Sequence, residues 1–333
     1  MKLPRISINI CVARNESIDD VIKALREIDY PRNLYEILII KGTHLTRQRN
    51  IGVEKSKGQI IYLLDNDSQV HPKALKIIAK TFQNPKVAGV GGPSLTPKNE
   101  DNYFSKTVGY ILETYFGAFR MRYKWSRITR NSEKVTDYEF IGSNLALKKG
   151  AVKGVGGFDE QFRANDETEL LRRLRDRGYL LRYTHDLYVY RSQRKNIFQL
   201  AKQFHHYGRG RMQHLLKNPK VEDVFLLAPI FFLVYLLPLF LIRNIYTLAP
   251  LFFYIALGFL TSLRASIKYK DPLLIVSMTS IYPFIHISYA LGLLHEFFNH
   301  FSKKRNTRKK MKAGRIELFR INLNKNYVRV KPF

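Results

Sequence analysis

Cysteine is nearly absent from this chain: Cys11 is the only one in 333 residues. That excludes an internal disulfide framework and any Cys-rich zinc site. Acid is scarce too, with 27 Asp+Glu against 56 Lys+Arg, a formal net charge of +29. Charge alone leaves a nucleic-acid binder and a membrane-surface protein both open. A disordered polycation is excluded, because 45% of the chain is hydrophobic and 13% aromatic. The first ten residues hold no run resembling a cleaved signal peptide, and Arg14-Asn15-Glu16 follows at once. The expectation is that the working part of the protein stays in a reducing cytoplasm.

The average composition hides a partition. Residues 1 to about 222 alternate short apolar runs with charged, periodic segments. Beyond them lie three runs of 19 to 23 apolar residues, 224–242 and 245–263, parted only by Arg243-Asn244, and 272–294. At ~1.5 Å per residue each spans roughly the hydrocarbon core of a bilayer, so they read as membrane helices despite Pro229, Pro238, Pro250 and Pro283. The last stretch, 303–333, carries twelve Lys/Arg and one acidic residue, Glu317. This polybasic tail reads as cytoplasmic and attracted to anionic lipid. A conflict follows, since three crossings would separate two basic ends that the positive-inside rule wants on one side. Either one run is interfacial, or 272–294 is a hairpin bent at Tyr282-Pro283. We favour both ends inside.

In the first 222 residues, apolar strand candidates at 6–12, 36–40, 59–64 and 87–91 alternate with helical spacing at 18–28, 47–57 and 72–82. That alternation predicts an α/β fold, a mainly parallel sheet with helices on both faces. Ligands of such sheets bind at the carboxyl ends of strands, and Asp65-Asn66-Asp67 stands directly after Ile60-Ile61-Tyr62-Leu63-Leu64. Carboxylates two apart in a turn can reach one hard cation, Mg²⁺ or Mn²⁺, with substrate phosphates completing its shell. A second acidic cluster, Asn165-Asp166-Glu167-Thr168-Glu169, opens a basic amphipathic helix. The helix dipole alone would favour acids there. The functional reading is that one of them is a general base, its pKa raised by its neighbours.

Several motifs now stand in order: Val12-Ala13-Arg14-Asn15-Glu16; Arg49-Asn50-Ile51-Gly52 with Lys57-Gly58; Leu64-Asp65-Asn66-Asp67; Gly142-Ser143-Asn144; Gly157-Phe158-Asp159-Glu160; and Asp166-Glu167-Thr168-Glu169-Leu170 with Arg173-Leu174. Over roughly residues 5–215 this set resembles the family 2 glycosyltransferases of GT-A (Rossmann-like) fold. Tyr190-Arg191-Ser192-Gln193-Arg194 and the segment from Gln203 to Arg211 resemble the membrane-bound branch related to succinoglycan biosynthesis. The resemblance implies a catalytic domain over 1–195, an interfacial amphipathic segment over 196–222, transmembrane helices over 223–296 and the tail over 297–333. It implies an enzyme of the multi-pass cell membrane with its catalytic domain cytoplasmic. Its partners would be a nucleotide-diphosphate sugar, a lipid-linked (polyprenyl-type) or glycan acceptor and anionic lipids, with inversion at the anomeric carbon.

Residue by residue, Asp65 and Asp67 would hold the divalent cation and the diphosphate. Arg14, Glu16, Arg49, Asn50 and Asn66 would lie near the donor nucleotide. Gly142, Ser143 and Asn144 would border the acceptor and sugar pocket. Arg191, Gln203, Arg209 and Arg211 would clamp phosphates. The alignment of Leu170 and Arg173-Leu174 puts the family's catalytic base at Glu167 with Asp166 beside it, the reverse of the usual order. Two further departures stand out. Lys41-Gly42-Thr43-His44 follows the second strand where relatives carry an acid for the nucleobase, and Arg191 stands where many carry a metal-binding His; nearby His185 reads as structural. A processive polysaccharide synthase is disfavoured, because three apolar runs are few and the segment around Gln203 lacks the Gln-x-x-Arg-Trp of such synthases. A non-catalytic scaffold is disfavoured by the intact acidic pairs. Nucleic acid is excluded as a partner, because the membrane runs explain the positive charge better.

Overall fold

A computed structural model describes residues 3–128, 135–162, 164–237, 239, 244–303 and 316–323, and the backbone of 325–330. In chain order its elements are β1 (Ile6–Val12), α1 (Asp19–Arg26), β2 (Tyr35–Lys41), α2 (Leu45–Lys55), β3 (Ile60–Leu64), β4 (Gln69–Val70), α3 (Ala74–Thr81), β5 (Val87–Gly91), β6 (Ser94–Leu95), α4 (Tyr103–Leu112) and α5 (Tyr115–Ala118). There follow β7 (Asn144–Lys148), α6 (Lys149–Gly154), α7 (Asp166–Asp176), β8 (Leu180–Tyr183), β9 (Val189–Tyr190), α8 (Ile197–Lys217), α9 (Ala228–Leu236), α10 (Ile245–Tyr269), α11 (Leu273–Lys303), β10 (Glu317–Asn322) and β11 (Lys325–Val330). They form two compact units. One gathers residues 1–97, 123–192 and 311–333; the other gathers 98–122 and 193–310.

The first unit is built on a sheet of order β11-β10-β2-β1-β3-β7-β5-β8. β2, β1 and β3 are mutually parallel, β7 runs against its neighbours β3 and β5, and β5 and β8 are parallel. The α/β fold therefore stands, with a mixed sheet where a mainly parallel one was expected. The runs of Ile, Leu and Val suit a pleated surface buried on both faces. In β1, Ile6, Ile8, Ile10 and Val12 enter one core with Val21 and Leu25 of α1 and Leu75 and Ile78 of α3. On the opposite face Ile61, Leu63, Leu145 and Leu147 pack with Leu170, Leu171 and Leu174 of α7. The polar positions between them are paired: Ser7 Oγ donates to Glu36 Oε1 at 2.7 Å, and Ser56 Oγ donates to Asn9 Oδ1 at 3.2 Å.

The tail is more than a charged extension. Residues 304–315, which hold much of its positive charge, lie outside the described residues. Beyond them β10 pairs antiparallel with β2, Leu318 opposite Ile40 and Arg320 opposite Leu38, and β11 folds back on β10. Ile316 and Leu318 pack with Leu38 and Ile40 in a small core of their own, and Arg320 Nε lies 3.0 Å from Glu36 Oε2. The hairpin thus covers the edge that β2 would otherwise present to solvent.

The second unit is helical. α8 and α11 cross at two glycines: a Cβ on Gly208 would meet the carbonyl oxygen of Tyr289 at 2.2 Å, and one on Gly292 that of His205 at 2.1 Å. Only hydrogen fits at that approach. Glu296, buried on α11, accepts from Arg209 at 2.8 and 2.9 Å and from Gln213 at 2.8 Å. Among the described residues two helices are long and apolar enough to cross a membrane, α10 and α11. The hairpin considered at Tyr282-Pro283 is not formed, because α11 is one helix with Pro283 inside it. A proline removes a single donor, and the long apolar helix continues through it. The run 224–242 yields only the nine residues of α9, ~14 Å of helix; residues 238 and 240–243 lie outside the described ones.

If the hairpin is part of the sheet, Leu318→Ala opens a cavity beside Leu38 and Ile40 and costs about 2–5 kcal/mol in denaturant unfolding. A loss below about 0.5 kcal/mol would mean that the strand is dispensable.

Candidate active site

Because β1, β2 and β3 are parallel, their carboxyl ends lie at one edge of the sheet, where the functional side chains of the first unit gather. Gln48 closes that edge: its Nε2 donates to the carbonyl oxygens of Val12 at 3.0 Å and Ile40 at 2.6 Å. The next residue on α2, Arg49, is 5% exposed. A guanidinium so enclosed must be paired. Its Nη1 lies 2.5 Å from Asp166 Oδ2 and 3.8 Å from Glu167 Oε2 at the start of α7. Glu167 is approached from its other oxygen by Lys124, whose Nζ lies 3.8 Å from Oε1. Gly142 makes this arrangement possible, since a Cβ there would sit 2.4 Å from Arg49 Nη2.

The two acids of α7 are therefore unequal. Asp166 is 1% exposed, and its Oδ2 accepts from Arg49 Nη1. Burial, the largest influence, raises its pKa; the Arg49 charge opposes that and the Glu167 charge adds to it. Glu167 holds its two cations at longer range, which leaves its carboxylate oxygens open to a further partner.

The second acidic group is the turn after β3. Asp65 Oδ2 lies 2.9 Å from Arg191 Nη1, and Asp67 Oδ1 lies 2.8 Å from Arg191 Nε. Both carboxylates thus face one point, and the cationic group they hold there belongs to the chain. Among the described residues no three His, Cys, Asp or Glu side chains converge as a metal group would. The set fits a divalent ion held by two carboxylates with a diphosphate supplying the rest. The two acidic groups share one electrostatic neighbourhood, because Asp65, Asp166 and Glu167 all act on Arg49. Cys11, near the end of β1, feels Arg49, Asp65 and Asp166, but burial dominates and pushes its thiol up to about 12.

Other expected site residues have structural partners. Asn50 brackets Phe158: its Nδ2 donates to the Phe158 carbonyl at 2.9 Å and its Oδ1 accepts from the Phe158 amide at 2.8 Å. Asn144 is enclosed, donating to the carbonyls of Pro93 and Leu187 and accepting from the Tyr62 hydroxyl at 2.7 Å. Asn66 Nδ2 donates to the Ser17 carbonyl at 2.8 Å, and Glu16 Oε2 accepts from the Ala13 amide at 3.1 Å. Arg14 is exposed and Ser143 buried. His185 faces Asp186 at 3.4 Å. Gln203, Arg209 and Arg211 belong to the second unit. There Gln203 donates to the Tyr207 hydroxyl at 2.8 Å, Arg209 pairs with Glu296, and Arg211 is buried near Met121.

Lys124 and Gln48 were missed. Lys124 stands in an aromatic, basic stretch, yet it is 4% exposed. Its neighbours Tyr123, Trp125 and Ser126 are buried with it, whereas Arg127 is exposed. Also missed was the brace behind α7. Arg172 Nη2 and Arg175 Nη1 pair with Asp137 at 3.1 and 2.5 Å, and Arg173 Nη2 spans Glu169 and the Gly157 carbonyl. These contacts fix the rotation of the helix that carries Asp166 and Glu167.

Fold, acidic turn and acidic helix start together define the candidate active site of an α/β enzyme. The sequence matches the glycosyl transferase family group 2 over residues 60–294, and the chain belongs to that family. It is a glycosyltransferase of GT-A fold. It is 27% identical over 266 residues to glycosyltransferase AglE of Haloferax volcanii, covering 71% of this chain and 82% of that one. It is 32% identical over 89 residues to the succinoglycan biosynthesis protein ExoA of Rhizobium meliloti, 27% of each chain. Among solved structures it is similar to the mannosyltransferase PcManGT of Pyrobaculum calidifontis in complex with GDP-Man and Mn²⁺ (TM-score 0.53, 16% identity, 88% of each chain covered), a likeness of fold.

A thiol raised so far is almost entirely neutral at pH 8. Cys11 of the native protein should react with iodoacetamide about 10³ times more slowly than an ordinary thiol, and at the ordinary rate once unfolded. Prompt alkylation of the native protein, read by mass spectrometry, would contradict the raised thiol.

Proposed function

We propose that the chain moves a sugar from a nucleotide-diphosphate sugar to a lipid-linked or membrane-proximal acceptor, inverting the anomeric carbon in one displacement. The observation that carries this reading is the pair of acidic groups at the carboxyl edge of the sheet, Asp166 and Glu167 on Arg49 and Asp65 and Asp67 on Arg191. One group is built to take a proton and the other to hold positive charge. Glu167 is the base: it receives the acceptor hydroxyl proton as that oxygen attacks the anomeric carbon. Its two cations at 3.8 Å, Arg49 and Lys124, keep it oriented without occupying it as Arg49 occupies Asp166. Asp166 is a positioning residue that fixes Arg49.

Asp65 and Asp67 would hold a divalent cation, Mg²⁺ or Mn²⁺, which when bound neutralises the departing diphosphate. The Mn²⁺ recorded with PcManGT, a protein of the same fold, supports that choice. Arg191 adds a second positive charge beside the same carboxylates. Arg14, Glu16 and Asn66 lie on the turns that would border the nucleotide. Asn50 and Asn144 act through the backbone they hold. A single displacement needs no carboxylate nucleophile on the sugar's far face, and none is assigned.

The membrane reading rests on α10 and α11, roughly 37 and 46 Å of helix. Protein covers only 11% and 39% of their apolar windows. The strand order supports a sidedness. β10 lies beyond both helices in sequence and still pairs with β2, so the segment between β9 and β10 must cross an even number of times. Two crossings, by α10 and α11, satisfy this and leave both ends in the cytoplasm. Run 224–242 is then interfacial, as is α8.

The activity is tested by incubating the protein in lipid vesicles with a panel of nucleotide sugars and polyprenyl phosphate, with and without Mn²⁺. One donor should give product of inverted configuration, and Asp67→Ala should lower its kcat by at least about 10²-fold while membrane insertion is unchanged. Normal turnover by that variant would remove Asp67 from the reaction. Sidedness is tested in a Cys11→Ala background with single cysteines at Ser17, Lys270 and Ser302 and an impermeant maleimide. Positions 17 and 302 should label from the cytoplasmic side and 270 from the other. Labelling of 17 and 302 from opposite faces would exclude an even number of crossings.

A further inference from the structure

Arg191 reaches the acidic turn on a dedicated piece of structure. β9 pairs with β4, the strand that directly follows the turn, and with β6. The Arg191 amide donates to the Leu95 carbonyl at 2.8 Å, fixing its backbone. From there Nη1 engages Asp65 at 2.9 Å and Nε engages both oxygens of Asp67 at 2.8 and 2.9 Å. One planar fork thus spans two carboxylates that would otherwise repel each other. All three side chains keep solvent contact, at 22%, 28% and 41% exposure for Arg191, Asp65 and Asp67, so the fork can turn away.

We infer that Arg191 is a built-in competitor for the divalent ion, so that Asp65 and Asp67 take up metal tightly only when a diphosphate draws Arg191 away. The inference rests on the reading of Asp65 and Asp67 as the cation-holding pair. Its physical basis is charge. A divalent ion between the carboxylates would stand within a few ångströms of a guanidinium held there by two ion pairs, so it must displace Arg191 or bind against it. A nucleotide diphosphate brings at least two negative charges and several acceptor oxygens. It gives the guanidinium a second bidentate partner and frees the carboxylates in the same event. Metal and donor then bind cooperatively, and the empty enzyme does not hold metal without substrate. By linkage the metal must tighten the donor by the same factor. Arginine suits this role because it does not lose its proton at physiological pH.

The test reads metal binding rather than turnover. Mn²⁺ is titrated into the full-length protein in nanodiscs, with no nucleotide present, and free Mn²⁺ is followed by electron paramagnetic resonance. The wild type should bind Mn²⁺ only weakly, with Kd in the millimolar range. Arg191→Gln should tighten it by at least about tenfold, because a unit charge ~4 Å from a divalent ion repels it appreciably even in water. Arg191→Lys, which keeps the charge, should stay near the wild type. The gain should vanish in Arg191→Gln combined with Asp65→Asn and Asp67→Asn. Micromolar Mn²⁺ affinity in the wild type overturns the inference without recourse to any variant. So does an Arg191→Gln affinity equal to or weaker than that of the wild type. Normal turnover by Asp67→Ala would instead overturn the reading of the carboxylate pair, so the two failures are distinguishable.

Discussion

A guanidinium buried at the edge of a hydrophobic sheet is the constraint on which the rest of the site depends. Arg49 could not be enclosed without an opposing charge, and an unpaired ion there would cost several kcal/mol. The chain meets that demand with Asp166, brought from 117 residues away at 2.5 Å. Much follows from this one pair. α7 must begin where Asp166 can reach, Gly142 must lack a side chain so that the guanidinium can pass, and Asp137 must anchor Arg172 and Arg175 so that α7 does not rotate. Glu167, one residue on, is then aimed at the same edge while remaining outside the tight pair.

The same economy of charge appears at the acidic turn. Asp65 and Asp67 would repel one another, and the fold relieves that with Arg191 from a short strand paired beside the turn. In the second unit Arg209 and Glu296 repeat the pattern between α8 and α11. A chain with a net charge of +29 places its few acids where a cation must be held.

Much of this was legible in the sequence. β1, β2, β3 and β5 follow from apolar runs of strand length, and the acid pair after β3 from its position at a strand's end. The acidic start of α7 was legible, but the division of labour between Asp166 and Glu167 was not, because it depends on which of the two meets Arg49. Asn50 and Asn144 were expected beside the substrate, and their amides also hold the Phe158 backbone, the Pro93 and Leu187 carbonyls and the Tyr62 hydroxyl, a use that spacing does not reveal. The end of the chain misled through composition: twelve basic residues suggested a tail, while the alternation in Glu317-Leu318-Phe319-Arg320-Ile321 and the turn-forming Asn-rich segment after it encoded a hairpin. Pro283 suggested a bend because its local cost is visible in sequence, whereas the helix packing that absorbs it is not.

The central claim is that Arg49 occupies Asp166 and leaves Glu167 to take the proton. Comparing Glu167→Gln with Asp166→Asn tests it most directly, with kcat measured at saturating donor and donor Kd measured separately. The account predicts that Glu167→Gln lowers kcat by about 10²–10⁴-fold with donor Kd nearly unchanged, and that Asp166→Asn, which leaves Arg49 buried without its partner, also destabilises the fold. A Glu167→Gln enzyme that turns over normally, beside a stable but inactive Asp166→Asn enzyme, would contradict it and move the base to Asp166.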